Sequence, residues 1–75
     1  MDGKVLAVSQ NNLVEISLGS DDGLQEGHQL HISRGNRFLG RIIIVSTKSD
    51  KSVGEIVKPY TKGRIQKGDR VRTKV

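Results

Sequence analysis

The chain has 75 residues, with 13 Lys and Arg against 8 Asp and Glu, no Cys, and a net charge of +5. That length fits one domain, and without cysteine neither a disulfide framework nor a zinc–thiolate site can form. The longest uncharged apolar runs, such as Ile42 to Val45, are far short of the roughly 20 apolar residues that a membrane-spanning helix needs.

No stretch repeats its apolar residues with the 3.6 period of an amphipathic helix. Short Val- and Ile-rich runs recur instead, punctuated by nine glycines, and this pattern predicts an all-β fold. The first run is Lys4 to Ser9, followed by a polar turn at Gln10-Asn11-Asn12. Leu13 to Leu18 comes next, with Val14, Ile16 and Leu18 on one face and Glu15 and Ser17 on the other. Gly19-Ser20-Asp21-Asp22-Gly23 is a dense turn signal. His28 to Ser33 forms the third run, with Leu30 and Ile32 pointing inward. Gly35-Asn36 then joins it to Arg37–Thr47 as a two-residue hairpin. Ser52 to Lys58 is the fifth run, in which Gly54 suggests a bulge or a tight bend, and Pro59 ends it. After a connector, Asp69 to Val75 directs Val71, Thr73 and Val75 to one side and Arg70, Arg72 and Lys74 to the other.

The two halves resemble each other, 3–33 matching 40–75. Gly3-Lys4-Val5 aligns with Gly40-Arg41-Ile42, Glu15-Ile16 with Glu55-Ile56, and Leu24-Gln25-Glu26-Gly27-His28 with Ile65-Gln66-Lys67-Gly68-Asp69. Three strands cannot bury a face alone, but two such sets can close on each other. The expected domain, residues 3–75, is therefore a small closed barrel or compact sandwich of about six strands, built from two similar three-strand halves. Closure would also hide the sheet edges. Leu24 and Ile65 are expected to plug the barrel ends, with Gly27 and Gly68 supplying the backbone angles that re-enter the sheet.

No phosphate-binding loop, metalloprotease helix or nucleophile elbow is present. The sequence therefore predicts no catalytic residue, no metal site and no cofactor. His28 and His31 have opposite strand parity, so one strand cannot chelate with both. Asp21 and Asp22 lack the alternating oxygen ligands of a calcium loop and read as turn formers. Phe38 and Tyr60 are the only aromatics, which argues against the stacking surfaces of single-strand binders.

Charge is more informative. Residues 1–33 hold one cation and five anions, whereas residues 34–75 hold twelve cations and three anions. Arg64, Lys67, Arg70, Arg72 and Lys74 are the candidate partner-binding residues, a basic stripe centred on the last strand that would attract an acidic protein, an anionic polymer or a nucleic acid. Outward cations on an edge strand also serve to prevent aggregation.

The segments Gly3-Lys4-Val5-Leu6-Ala7-Val8-Ser9, Val14 to Gly27, Gly40-Arg41-Ile42 and Ile65 to Val71 together resemble small β-barrel domains at the C-terminal ends of bacterial cell-envelope proteins. The domain ending flagellar assembly protein T is similar, as is, more distantly, the β domain of the rod-shape-determining protein MreC. The resemblance implies a non-catalytic assembly or partner-binding role. It also implies a periplasmic or envelope location, a cytoplasmic one being expected otherwise, and a domain excised from a longer chain that carries an anchor or coiled coil. Lys67-Gly68-Asp69-Arg70-Val71 is similar to the Gly-Asp-x-Val turn of ribosomal KOW motifs, which implies a nucleic-acid-binding, SH3-like alternative that would use the last strand.

Overall fold

The structure, a computed structural model, describes residues 2–9, 11–57 and 64–73. Six strands form in chain order: β1 (Asp2–Val8), β2 (Leu13–Ile16), β3 (Gln29–Arg34), β4 (Arg37–Thr47), β5 (Ser52–Ile56) and β6 (Arg70–Thr73). They close into an antiparallel barrel in the order β1-β2-β5-β4-β3-β6. Every strand thus has a partner on both sides, and β6, flanked by β1 and β3, is not an edge strand.

Alternation fills the interior. Val14 and Ile16 of β2, Leu30 and Ile32 of β3, Ile42 and Ile44 of β4, and Val71 of β6 are all fully buried. Leu24 and Ile65 join the same core from the loops, as expected of plugs. The Gly35-Asn36 hairpin forms with Arg34 opposite Arg37. Ser20–Asp22 is a single 3-10 turn, closed when the Gly19 N–H donates to Asp22 Oδ2 at 3.0 Å. Strand β2 stops at Ile16, two residues before the end expected from the pattern, although Leu18 still points inward.

The strand order is unchanged when β1, β2 and β3 are exchanged with β4, β5 and β6. The equivalence reaches single hydrogen bonds. Val5 donates to the Asp69 carbonyl and accepts from the Gly68 N–H, each at 2.8 Å; Ile44 does the same with His28 and Gly27, also at 2.8 Å. Gly27 and Gly68 hold matching left-handed angles, φ 92 and φ 94. A bulge follows each central residue, at Leu6 in β1 and at Val45 in β4.

This geometry changes the alignment of the halves. Val5 corresponds to Ile44 rather than to Ile42, and Ile16, which faces Val5, corresponds to Gly54, which faces Ile44, rather than to Ile56. Both differences are two residues, one full pleat. Such a slip preserves the inward–outward alternation, so hydrophobic pattern alone does not detect it.

The corrected register also explains Gly54. It makes no bulge itself; the extra residue is Val45 on the facing strand. A Cβ on Gly54 would lie 2.7 Å from Ile42 Cδ1. In one half a large Ile42 is accompanied by a small Gly54, and in the other their counterparts are Gly3 and Ile16, so large and small are exchanged across the pseudo-two-fold. The core keeps its volume without internal symmetry.

Candidate partner-binding face

Because β6 lies between β1 and β3, its outward side chains join those of three other strands. Two cross-strand rows result. In the first, Asp2 of β1 faces Arg72 of β6, Arg72 faces His31 of β3, and His31 faces Arg41 of β4. In the second, Lys4 faces Arg70, Arg70 faces Ser33, and Ser33 faces Phe38. The bulge in β4 that follows Phe38 sets this row, since it pairs Ser33 with Phe38 while Ile32 pairs with Gly40.

Of the sequence-predicted residues, Arg70 and Arg72 are exposed on this face. Arg64 and Lys67 are exposed in the segment leading into β6. Lys74 lies outside the described residues. Arg72 Nε donates to Asp2 Oδ1 at 3.1 Å, but both side chains remain more than half exposed, so the pair contributes at most about 1 kcal/mol and its cation stays available to another anion. Among the described residues no carboxylate pairs with Arg70. Its cross-strand neighbour is Lys4, and like charges placed directly opposite are destabilising.

The face is broader than the predicted stripe. Lys4 and Arg41 enlarge it, and His31 and Phe38 place two rings on it, with centroids 5.5 Å apart and planes at 82°. Arg41 reaches across to Gln29 Oε1 at 3.5 Å. Sequence reasoning missed these residues because β4 and β6 share a face only through β3, which pairs with both. The outward parity of His31 and Arg41 was the available signal. Asp2 is the one carboxylate in these rows; Asp21, Asp22 and Glu26 lie in the turn before β3, Glu15 and Glu55 on β2 and β5, Asp50 between β4 and β5, and Asp69 is buried.

One cation near the face is already committed. Arg34, beside the hairpin, donates from Nε to Asp69 Oδ1 at 2.8 Å and from Nη2 to Oδ2 at 3.1 Å. Nη2 also reaches the Arg64 carbonyl at 2.9 Å. Asp69 is only 4% exposed, and its Oδ2 accepts the Gln66 N–H at 2.7 Å. The Arg34 hydrogen bond holds the Asp69 carboxyl below the usual carboxylate range; burial opposes this, and the Gln66 N–H assists it. His28, at the equivalent place in the other half, accepts the Gln25 N–H on Nδ1 at 3.3 Å. His28 and Asp69 thus close corresponding turns.

No three His, Asp or Glu side chains converge as a metal site among the described residues, and none of their helices is long and apolar enough to cross a membrane. What the face offers is a set of forked and point-like cations that can hold anions by charge and directed hydrogen bonds. No protein-family model matches the chain, and no curated protein is significantly similar to it.

Proposed function

We propose that the chain is a non-catalytic β-barrel module that binds an acidic partner through the outer face of β1, β6, β3 and β4 and so serves assembly rather than chemistry. The observation that carries this reading is the cross-strand alignment of Lys4 with Arg70 and of Arg72 with His31 and Arg41. The closed sheet speaks against one competing explanation, edge protection. Cations on an edge strand protect against edge-to-edge pairing, but β6 is paired on both sides, so Arg70 and Arg72 protect no edge. Keeping Lys4 opposite Arg70 costs stability, which an incoming anion would offset. The likeness of the glycine and apolar spacing to envelope barrels supports an assembly role, as the terminal domain of a longer envelope or coiled-coil protein.

The test is direct binding of labelled polyglutamate and of a labelled oligonucleotide at about 50 mM salt, where charge-driven association is strong. At least one should bind the wild-type chain, and Arg70→Glu with Arg72→Glu should abolish it while the melting temperature holds. If neither binds, the basic face is only a solvated surface.

A further inference from the structure

Resting on that reading of the face, we infer that its partner is a single-stranded nucleic acid, with phosphates on the guanidinium rows and a base stacked at Phe38. The first ground is the choice of cation. Arg34, Arg37, Arg41, Arg70 and Arg72 all lie on β3, β4 and β6, and the sixth arginine, Arg64, lies in the segment leading into β6. On the face itself Arg41, Arg70 and Arg72 carry guanidinium and Lys4 of β1 is the one described lysine, while Lys48, Lys51 and Lys67 lie in turns. A surface that needed only charge would have no reason to favour guanidinium three to one. Guanidinium differs from ammonium in gripping phosphate with two parallel donors and in stacking flat on rings.

The second ground is Phe38. It ends the row that begins Lys4–Arg70–Ser33, is 37% exposed, and meets the His31 ring edge to face. A large apolar ring half-open to water among cations offers little to an acidic peptide. It is what a base requires, since stacking on one aromatic ring stabilises by about 1–3 kcal/mol per base. The third ground is shape. The rows cross four strands of a curved barrel wall in a molecule only 28 × 25 × 19 Å across. A flexible strand follows such a curve, whereas a duplex is stiff over this distance.

Fluorescence anisotropy with a labelled oligonucleotide of about 12 nucleotides, within the span that small barrels cover, tests the proposal on the full chain. If Lys4, Arg41, Arg70 and Arg72 each meet a phosphate, log K against log salt should fall with a slope of about −3. Arg70→Gln should flatten that slope by about 0.7. Phe38→Ala should weaken binding about tenfold or more, within the stacking range, and leave the slope unchanged, and Phe38→Trp should restore it. Polyglutamate of similar length should bind more weakly and ignore the Phe38 substitutions. Equal binding of both polymers with no effect at Phe38 would overturn the nucleic-acid assignment while leaving the basic face as a binding surface. Tighter binding of a duplex of the same length would overturn the single-strand assignment. Failure of both polymers to bind would remove the binding face itself.

Discussion

Arg34 and Asp69 meet fork to fork across the gap between the β3–β4 hairpin and the last turn, with both guanidinium–carboxylate bonds at 3.1 Å or shorter. Arg34 is 49% exposed and Asp69 4%. Their hydrogen bonds order the Gln66–Asp69 turn just before the cationic strand, so the pair sets where β6 begins. Asp69→Asn removes the charge while keeping the shape. It should cost about 2 kcal/mol at neutral pH, in the range of hydrogen bonds to charged groups, or about 10 °C in melting temperature for a domain this small.

The same pair makes stability depend on acid. The Asp69 carboxyl titrates lower in the folded chain than its ordinary 3.8, so the unfolded chain binds the proton more readily. Its contribution is therefore complete above about pH 5 and is lost as pH falls through the carboxylate range. Urea melts at pH 7 and pH 3 should show the difference between wild type and Asp69→Asn shrinking with acid. Arg34→Gln should move the Asp69 carboxyl back toward 3.8 in an NMR titration, since the Arg34 hydrogen bond is the largest cause of its lowering. An unmoved titration would show that the Gln66 N–H alone holds the charge.

Gly54 is fixed by packing, not by turn geometry. Gly54→Ala brings a methyl to 2.7 Å from Ile42 Cδ1 and should cost about 1–3 kcal/mol, as overpacked cores do. Ile42→Val removes that terminal carbon. The double variant should then be more stable than the sum of the single changes allows, a coupling readable by denaturant unfolding. Strict additivity would mean that the backbone of β5 moves away instead.

Gly27 and Gly68 test the equivalence of the halves. Their φ angles, 92 and 94, lie where an L side chain is strained by about 1–2 kcal/mol. A Cβ meets nothing within 4 Å at either site, so strain alone should decide the cost. Gly27→Ala and Gly68→Ala should lower stability by similar amounts. A large difference would show that the Asp69 and His28 closures tolerate the change unequally.

The parts of the fold that were legible were those governed by alternation. Val14 and Ile16, or Leu30 and Ile32, face inward together on strands, and the six strands close into a barrel, one of the two outcomes, barrel or sandwich, that the pattern allowed. Register was less legible. Sliding β1 or β5 by two residues keeps the same parity facing inward, so apolar alternation alone matches Gly3 to Gly40 as well as to its structural counterpart Ile42. The bulges at Leu6 and Val45 carry no residue signature. The Arg34–Asp69 pair was hidden by the 35 residues between its partners. Of the cationic face, Arg70 and Arg72 could be read from one strand's parity. Lys4, Arg41 and Phe38 required knowing that β6 pairs with both β1 and β3.

Stability and binding should separate at Arg70. Its side chain is exposed, faces Lys4 across the β1–β6 pair, and pairs with no carboxylate among the described residues. Arg70→Glu replaces a like-charge pair with an opposite one, and cross-strand charge pairs contribute about 0.2–1 kcal/mol. The variant should therefore melt slightly above the wild type, by about 2–5 °C, while its affinity for a polyanion falls. Arg72→Glu should behave differently, because it sets a second carboxylate beside Asp2 and loses the 3.1 Å bond; it should melt slightly lower and also bind less. Thermal melts alongside anisotropy on both variants separate the two effects. If Arg70→Glu lowers the melting temperature by 10 °C or more, near the value expected for a lost charged hydrogen bond, Arg70 holds the barrel together and the binding face needs another centre.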